Sequence, residues 1–103
     1  MQIEQIIEAI DASKVVLSRH SIKEAAADNL VPEDIYQSVI ENGEIIEDYL
    51  EAYPMPACLI LGFKTTGEPI HSVWGYDDTN RVARLITVYR PEPNRWINWR
   101  IRT

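Results

Sequence analysis

The spacing of the apolar residues changes at Gly43, and this change restricts the chain to folds in which helices precede a sheet. Before Gly43, apolar residues recur every three to four positions, which predicts amphipathic helices at residues 2–12 and 32–42. After Gly43, short apolar or alternating runs are separated by loops rich in Pro, Gly, Asp and Thr, which predicts strands. Helices followed by strands are typical of an α+β domain.

Four strands are predicted after Gly43, and a β-branched run, KVVLS, predicts a further short strand before the middle helix. The four segments are EIIEDY, ACLILGFK, PIHSVWGYD and VARLITVYR. Because the loops between them are short, consecutive strands should pair antiparallel. We therefore predict an α+β fold with N-terminal helices packed on one face of a four- to five-stranded, mostly antiparallel sheet. The other face is expected to stay partly open to a ligand or partner.

The middle helix is predicted over residues 21–29. Ser21 and Glu24 form a capping-box pattern, which predicts that this helix begins at Ser21 and that His20 lies just before its cap. Asn29 is the predicted C-cap.

The length of 103 residues suits one domain. We divide it into a helix extension, a core and a basic aromatic tail, at residues 1–13, 14–91 and 92–103. Trp96 and Trp99 stand in the tail at the spacing of a short helix. The single Cys58, in an apolar run, is predicted to be a core residue, and it fits a reducing, cytoplasmic setting. No apolar run reaches the roughly 20 residues of a membrane span, and we expect no signal peptide and no membrane association.

The net charge of −6 conceals an asymmetry along the chain. Residues 81–103 carry six arginines and one glutamate, a net charge of +5, whereas residues 1–80 carry −11. A cationic edge of this kind suits a phosphate-bearing partner, because arginine binds phosphate in a bidentate manner. The alternative is that these arginines pair with the protein's own carboxylates or with a second subunit.

The two histidines are candidates for acid–base chemistry. His20 lies near a predicted helix N-terminus, where free N–H groups favour an anion, and Arg19 could offset the charge of a bound phosphate. His71 lies within a predicted strand, and the two histidines together could divide an RNA transesterification, one as base and one as acid. The alternative is that each histidine only packs against the sheet. No cysteine partner or close His, Asp or Glu spacing supports a metal site, so we expect no metal and no cofactor.

The last strand and the tail add candidates for substrate binding. Tyr89 could stack on a base or donate a proton, and Arg90 could hold phosphate, with Thr87 nearby. The alternative for Tyr89 is an ordinary residue of an amphipathic strand. Trp96 and Arg95 combine a stacking surface with charge, which suits single-stranded RNA and a protein interface equally. Acids in GEIIEDY could supply a general base or form a solvated edge strand; they are Glu44, Glu47 and Asp48.

Across residues 15–96 the ordered motifs LSRHSIKEAAADN, LVPEDIYQSVIENGEIIEDY, ACLILGF, PIHSVWGYD and RLITVYRPEPNRW resemble the domain-of-unknown-function family 4258. The points of agreement are Ser18, His20, residues 41–47, His71, Thr87, Val88, Tyr89 and Pro91. One departure is Val31, where members often carry Ser or Thr, so the following helix is expected to lack a side-chain N-cap.

The family looks like a distant relative of the RelE, ParE and BrnT toxins, small α+β proteins that cut RNA or inhibit another target and are neutralised by an antitoxin. This resemblance implies an RNA-facing surface lined by His20, His71, Thr87 and Tyr89, with Arg19 and Arg90 as phosphate binders. The leading hypothesis is a toxin-like endoribonuclease that uses metal-independent acid–base chemistry, with RNA and an antitoxin protein as partners. The alternative is a non-catalytic interaction module that dimerises or binds a partner through its sheet edge and its Arg/Trp tail.

Overall fold

The computed structural model describes residues 1–103 and contains three helices and seven strands. In chain order these are α1 (Ile3–Asp11), β1 (Val15–Leu17), α2 (Arg19–Ala27), α3 (Pro32–Asn42), β2 (Glu44–Tyr49), β3 (Ala57–Phe63), β4 (Pro69–Asp77), β5 (Val82–Tyr89), β6 (Trp96–Ile97) and β7 (Ile101–Arg102). The predicted α+β class is confirmed. None of the helices is long and apolar enough to cross a membrane.

The main sheet has five strands in the order β1-β5-β4-β3-β2, and it is mixed. The strands β2 to β5 form the antiparallel meander that their short loops predict. In contrast, β1 pairs in parallel with β5, with Val16 opposite Arg84. Parallel strands need a long connection, and here two helices and three strands intervene between β1 and β5.

The helices pack on one face of this sheet, as expected. Ile6 of α1, Val39 of α3 and Trp74 of β4 are completely buried in this core. Helix α3 and β3 approach each other closely, because a Cβ on Gly62 would lie 2.1 Å from the carbonyl oxygen of Ser38. Cys58 is also fully buried in the core, and this burial raises its pKa to about 12.

The predicted capping box at Ser21 and Glu24 is wrong, because α2 begins earlier. Ser18 is the N-cap: its side-chain oxygen accepts from the Ser21 backbone N–H at 3.0 Å and donates to the Ile86 carbonyl at 3.0 Å. The Ser21 side chain is buried and bonds back to the Ser18 carbonyl, so it cannot cap the helix. His20 therefore lies inside the first turn of α2 rather than before it. The expected cap Asn29 follows the observed C-cap Asp28 and has a positive φ of 54°.

The predicted short helix in the tail is also wrong. Residues 96–102 instead form the antiparallel hairpin β6–β7, with Trp96 opposite Arg102. Residues 98–100 connect the paired ends Ile97 and Ile101; Asn98 and Trp99 have φ values of 53° and 63°, as the two central residues of a type I′ turn require, and the Arg100 N–H donates to the Ile97 carbonyl at 3.0 Å. The expectation that α3 lacks a side-chain N-cap at Val31 is confirmed.

Candidate functional site

The β6–β7 hairpin covers part of the sheet face that the helices leave free. Leu59 and Leu61 lie on this face, opposite Val73 and His71 of β4, and both are fully buried outside the helix-packed core. Trp96 of β6 is 6% exposed, and its ring packs edge-to-face on the ring of His71 with 4.5 Å between centroids. The face that was expected to be open is therefore closed around His71 by the chain's own C-terminal segment.

His71 lies at the centre of the covered face and is fully buried. Its Nε2 is 2.8 Å from the carbonyl oxygen of Trp99, and because a carbonyl only accepts, Nε2 carries the proton. Its Nδ1 is then an acceptor and lies 3.2 Å from the Tyr89 hydroxyl, which donates to it. Burial lowers the pKa of His71 and raises the pKa of Tyr89, so the fold holds both groups in their neutral forms.

A second group of titratable side chains lies beside His71. Arg102 donates to the Glu47 carboxylate through Nε at 2.9 Å and Nη2 at 3.0 Å, and its guanidinium lies 4.7 Å from the Trp96 ring centroid. Tyr49 also hydrogen-bonds Glu47. The bond from Arg102 lowers the pKa of Glu47, whereas burial raises the pKa of Tyr49. Shifted pKa values that cluster in one place are typical of functional sites.

A cavity of about 730 Å³ lies between the end of β5 and the hairpin. It brings together four residues that the sequence predicted to act on or bind substrate, and these are Tyr89, Arg90, Arg95 and Trp96. The remaining lining residues are Asp28, Glu92, Arg102 and Thr103. We take this cavity, with His71 behind it, as the candidate functional site. No three His, Cys, Asp or Glu side chains lie together as metal ligands would.

Arg90 is the most firmly held cation of this cavity. Its Nε donates to the Asp28 backbone carbonyl and its backbone N–H to the Asp28 carboxylate, both at 2.8 Å. Its Nη1 donates to Glu68 at 2.9 Å, and this bond lowers the pKa of Glu68. Its Nη2 makes no hydrogen bond within the protein, so a donor remains on a guanidinium whose position is fixed.

The two histidines are not brought together. His20 and Arg19 lie in the first turn of α2, which packs on the helix-covered face of the sheet, whereas His71 faces the hairpin on the other side. The His20 side chain is 65% exposed, and its Nε2 lies 3.9 Å from Glu24. One cleft cannot contain both imidazoles.

Thr87 is half-buried on β5, on the same face as Tyr89, but it does not line the cavity. Sequence reasoning gave no role to Tyr49 or Arg102 and treated Glu47 only as one acid among three. The available signal was the alternation in EIIEDY, which places Glu47 and Tyr49 on the same face of an edge strand. Which face of the sheet this is depends on the bulge after Ile45, which the sequence does not reveal.

Four of the six arginines in residues 81–103 form ion pairs within the protein, and so this segment is not a free cationic edge. The pairs are Arg90–Glu68, Arg95–Glu92, Arg100–Glu44 and Arg102–Glu47. Of the two explanations open from the sequence, pairing with the protein's own carboxylates holds for these four. Only Arg81 and Arg84 of this segment have no acidic partner.

Comparison with known proteins gives a family match over the core of the chain. Residues 17–90 match the family described as "Domain of unknown function (DUF4258)". The chain matches no curated protein and no solved structure. The matched segment runs from Leu17, the last residue of β1, to Arg90 and contains α2, α3 and β2 to β5, so α1, most of β1 and the hairpin lie outside it. Because the match covers well over half of the 103 residues, the chain belongs to this family.

Proposed function

We propose that the protein is a toxin-like endoribonuclease whose active site is the cavity beside Tyr89. The observation that carries this proposal is that Tyr89 lines an arginine-rich cavity while its hydroxyl bonds to a buried, neutral histidine. The substrate is RNA, and by its resemblance to RelE-type toxins the protein would be neutralised by an antitoxin protein.

The proton arrangement suits Tyr89 as the group that activates the attacking oxygen. Because the Tyr89 O–H donates inward to Nδ1 of His71, the lone pairs of its oxygen remain available to the cavity. As the RNA 2′-oxygen bonds to phosphorus and the 5′-oxygen leaves, the 2′ proton passes to Tyr89 and the Tyr89 proton passes to His71. The 5′-oxygen takes its proton from solvent, and His71 returns its extra proton to solvent through Tyr89 when the product leaves, which restores the neutral pair. His71 then acts as a positioning and relay residue rather than as a group that touches the substrate.

The arginines of the cavity suit a phosphodiester. Arg90 offers the free Nη2 on a fixed guanidinium, whereas Arg95 is paired with Glu92 only at the surface, with side chains 75% and 63% exposed. Exposed ion pairs contribute little stability, so a phosphate can displace Glu92 from Arg95. Arg102 is fixed by Glu47 and completes the cationic side of the cavity. Three guanidinium groups in one cavity would stabilise the added negative charge of the transition state.

This proposal keeps only some of the sequence-predicted residues in the active site. Tyr89, Arg90 and Arg95 keep theirs as proposals, and Trp96 is assigned to holding Arg102 and His71 rather than to stacking on a base, because its ring is buried. His20 and Arg19 are proposed to lie outside the active site.

The test is cleavage of RNA by the purified protein, with and without ribosomes, by the wild type and two matched tyrosine variants. Tyr89→Phe removes only the hydroxyl, and Tyr53→Phe makes the same change at a side chain that is 94% exposed in a distant loop. We expect Tyr89→Phe to lose about 10²- to 10⁴-fold in rate, since that is the usual contribution of a general acid or base. Tyr53→Phe and His20→Gln should cleave like the wild type, and the products should end in a 2′,3′-cyclic phosphate and a 5′-hydroxyl.

Equal rates for Tyr89→Phe and the wild type would overturn the assignment of the site. A wild type that leaves RNA intact under both conditions would overturn the function itself. The second candidate, a non-catalytic interaction module, would then be preferred, and the observation in its favour is that His71 is fully buried and bonded on both nitrogens.

A further inference from the structure

Strand β1 is an unpaired edge of the main sheet. It pairs with β5 on one side only, and no strand lies on its other side. Just before and just after β1, the Lys14 carbonyl accepts from the Ala83 N–H and the Ser18 backbone N–H donates to the Leu85 carbonyl. Because backbone groups alternate in direction along a strand, Lys14, Val16 and Ser18 direct theirs toward β5. The backbone N–H and C=O groups of Val15 and Leu17 therefore face the free edge, where another extended chain could pair with them.

An apolar groove runs beside this edge, between α2 and α3. Its volume is about 460 Å³, and eight of its eleven lining residues are hydrophobic. Ile22 on one wall is 55% exposed and Val31 on the other is 51% exposed, while Leu17 links the groove to β1. Large apolar side chains left exposed around a concave surface are typical of a binding site.

Five cations that form no ion pair within 4.0 Å lie around β1, and two of them lie beside the groove. Of the ten Lys and Arg residues, five form ion pairs with side-chain carboxylates, and the other five are Lys14, Arg19, Lys23, Arg81 and Arg84. All five are near β1: one precedes it, two lie on α2, one lies in the turn before β5, and Arg84 of β5 pairs with Val16. Lys14 also lies close enough to Asp77 to interact with its charge.

Two of these cations border the groove itself. Residues 19, 22, 23 and 26 share one side of a helix, so Arg19 and Lys23 stand next to the groove residues Ile22 and Ala26. The carboxylates of the same helix and its cap are engaged elsewhere, Glu24 beside His20 and Asp28 with Arg90.

We propose that β1 and the groove bind an extended segment of a partner protein, which adds as a strand to β1, places apolar side chains in the groove and presents acidic side chains to Arg19 and Lys23. Strand addition obtains affinity from backbone hydrogen bonds and specificity from alternate side chains in pockets, and both elements are present here. This proposal rests on different residues from the Tyr89 cavity and does not depend on ribonuclease activity.

Charge and polarity select this occupant over two others. A second copy joined edge to edge would bring the same unpaired cations toward one another, which opposes association. Single-stranded RNA would satisfy the cations but would leave Ile22 and Val31 of the groove without an apolar partner. An acidic and apolar protein segment satisfies the backbone edge, the groove and the cations at once.

The experiment selects binders from a library of random twelve-residue peptides displayed on phage, using the intact protein as bait. We expect enriched peptides in which apolar residues alternate with Asp or Glu. Their affinity, measured by fluorescence polarisation, should fall at least tenfold for Ile22→Glu and for the double variant Arg19→Glu, Lys23→Glu. The matched control is Ile97→Glu, because Ile97 is 56% exposed on the hairpin, far from β1 along the sheet, and it should bind like the wild type. Hydrogen exchange of the Val15 and Leu17 amides should slow when a selected peptide is bound.

Three results would overturn the proposal. They are no enriched peptide, an enriched set that lacks acidic residues, and equal losses for Ile22→Glu and Ile97→Glu. A twelve-nucleotide oligouridylate is measured in parallel. If it binds, loses affinity in the Arg19→Glu, Lys23→Glu variant and no peptide competes, the edge is a nucleic-acid site instead.

Discussion

The burial of His71 makes the stability of the fold depend on pH below about 6.5, the ordinary pKa of histidine. Protonation at Nδ1 would place a second donor against the Tyr89 hydroxyl and a charge in a fully buried position. The native pKa of His71 is therefore below its ordinary value of 6.5, and burial is the main cause. Below pH 6.5 the unfolded chain binds a proton at this residue that the native protein does not bind.

The sign and size of the effect follow from proton linkage. Because the unfolded state binds more protons in this range, stability is complete above pH 6.5 and declines as the pH falls. One proton gives a limiting slope of about 1.4 kcal/mol per pH unit, so lowering the pH from 7.5 to 5.5 should cost up to about 1.4 kcal/mol. Glu47 does not oppose this change, because the Arg102 bond lowers its pKa and keeps it ionised over the same range.

Urea unfolding followed by tryptophan fluorescence at pH 5.5, 6.5 and 7.5 measures this dependence. His71→Gln retains an N–H donor for the Trp99 carbonyl but does not titrate, so between pH 7.5 and 5.5 its stability should fall less than that of the wild type, by up to about 1.4 kcal/mol. His20→Gln is the matched control, because it removes the other imidazole, whose side chain is 65% exposed, and should keep the wild-type slope. The reasoning is refuted if His71→Gln keeps the slope or if His20→Gln abolishes it.

Two further changes test the packing around the site. Trp96→Ala should destabilise the protein by about 3–5 kcal/mol, the usual cost of removing a buried tryptophan, and should open His71 to solvent; a melting temperature within 2 °C of the wild type would contradict this. Gly62→Ala should cost about 3 kcal/mol or more, because its Cβ would meet the Ser38 carbonyl at 2.1 Å. Gly67→Ala is the control: it has no atom within 4 Å and only its φ of +90° to strain, so thermal unfolding that finds it the more damaging change would refute the packing argument.

Local periodicity predicted most of the fold. The segments EIIEDY and PIHSVWGYD coincide with β2 and β4 residue for residue, because alternation and flanking turns are properties of the segment itself. The direction of β1 was not available in this way, since its pairing with β5 joins residues almost 70 positions apart. The start of α2 was misplaced because Ser18 and Ser21 both fit a cap, and only the bond from Ser18 to the Ile86 carbonyl distinguishes them.

The tail shows why the site was harder to predict than the fold. Trp96 and Trp99 have helical spacing, yet the left-handed turn at Asn98 and Trp99 makes a hairpin, and the backbone carbonyl of Trp99 then reaches His71. No sequence pattern reports a contact between a side chain and a backbone carbonyl 28 positions away. The sequence identified four residues of the cavity one by one, but not their arrangement. It did not predict that His20 and His71 are apart, because that depends on which face of the sheet each residue occupies.

Pairing, rather than residue counting, determines what charge each surface presents. The number of charged residues along the sequence assigns the positive charge of this acidic chain to residues 81–103, but Glu44 and Glu47 of β2 neutralise Arg100 and Arg102 there. Those pairs link the hairpin to β2, so their charge is neutralised within the protein and contributes little to long-range attraction. The unpaired cations instead lie along β1, where no residue of the hairpin takes part. An anionic partner should therefore meet attraction first at the β1 edge, while a phosphate at the Tyr89 cavity must compete with carboxylates already in place.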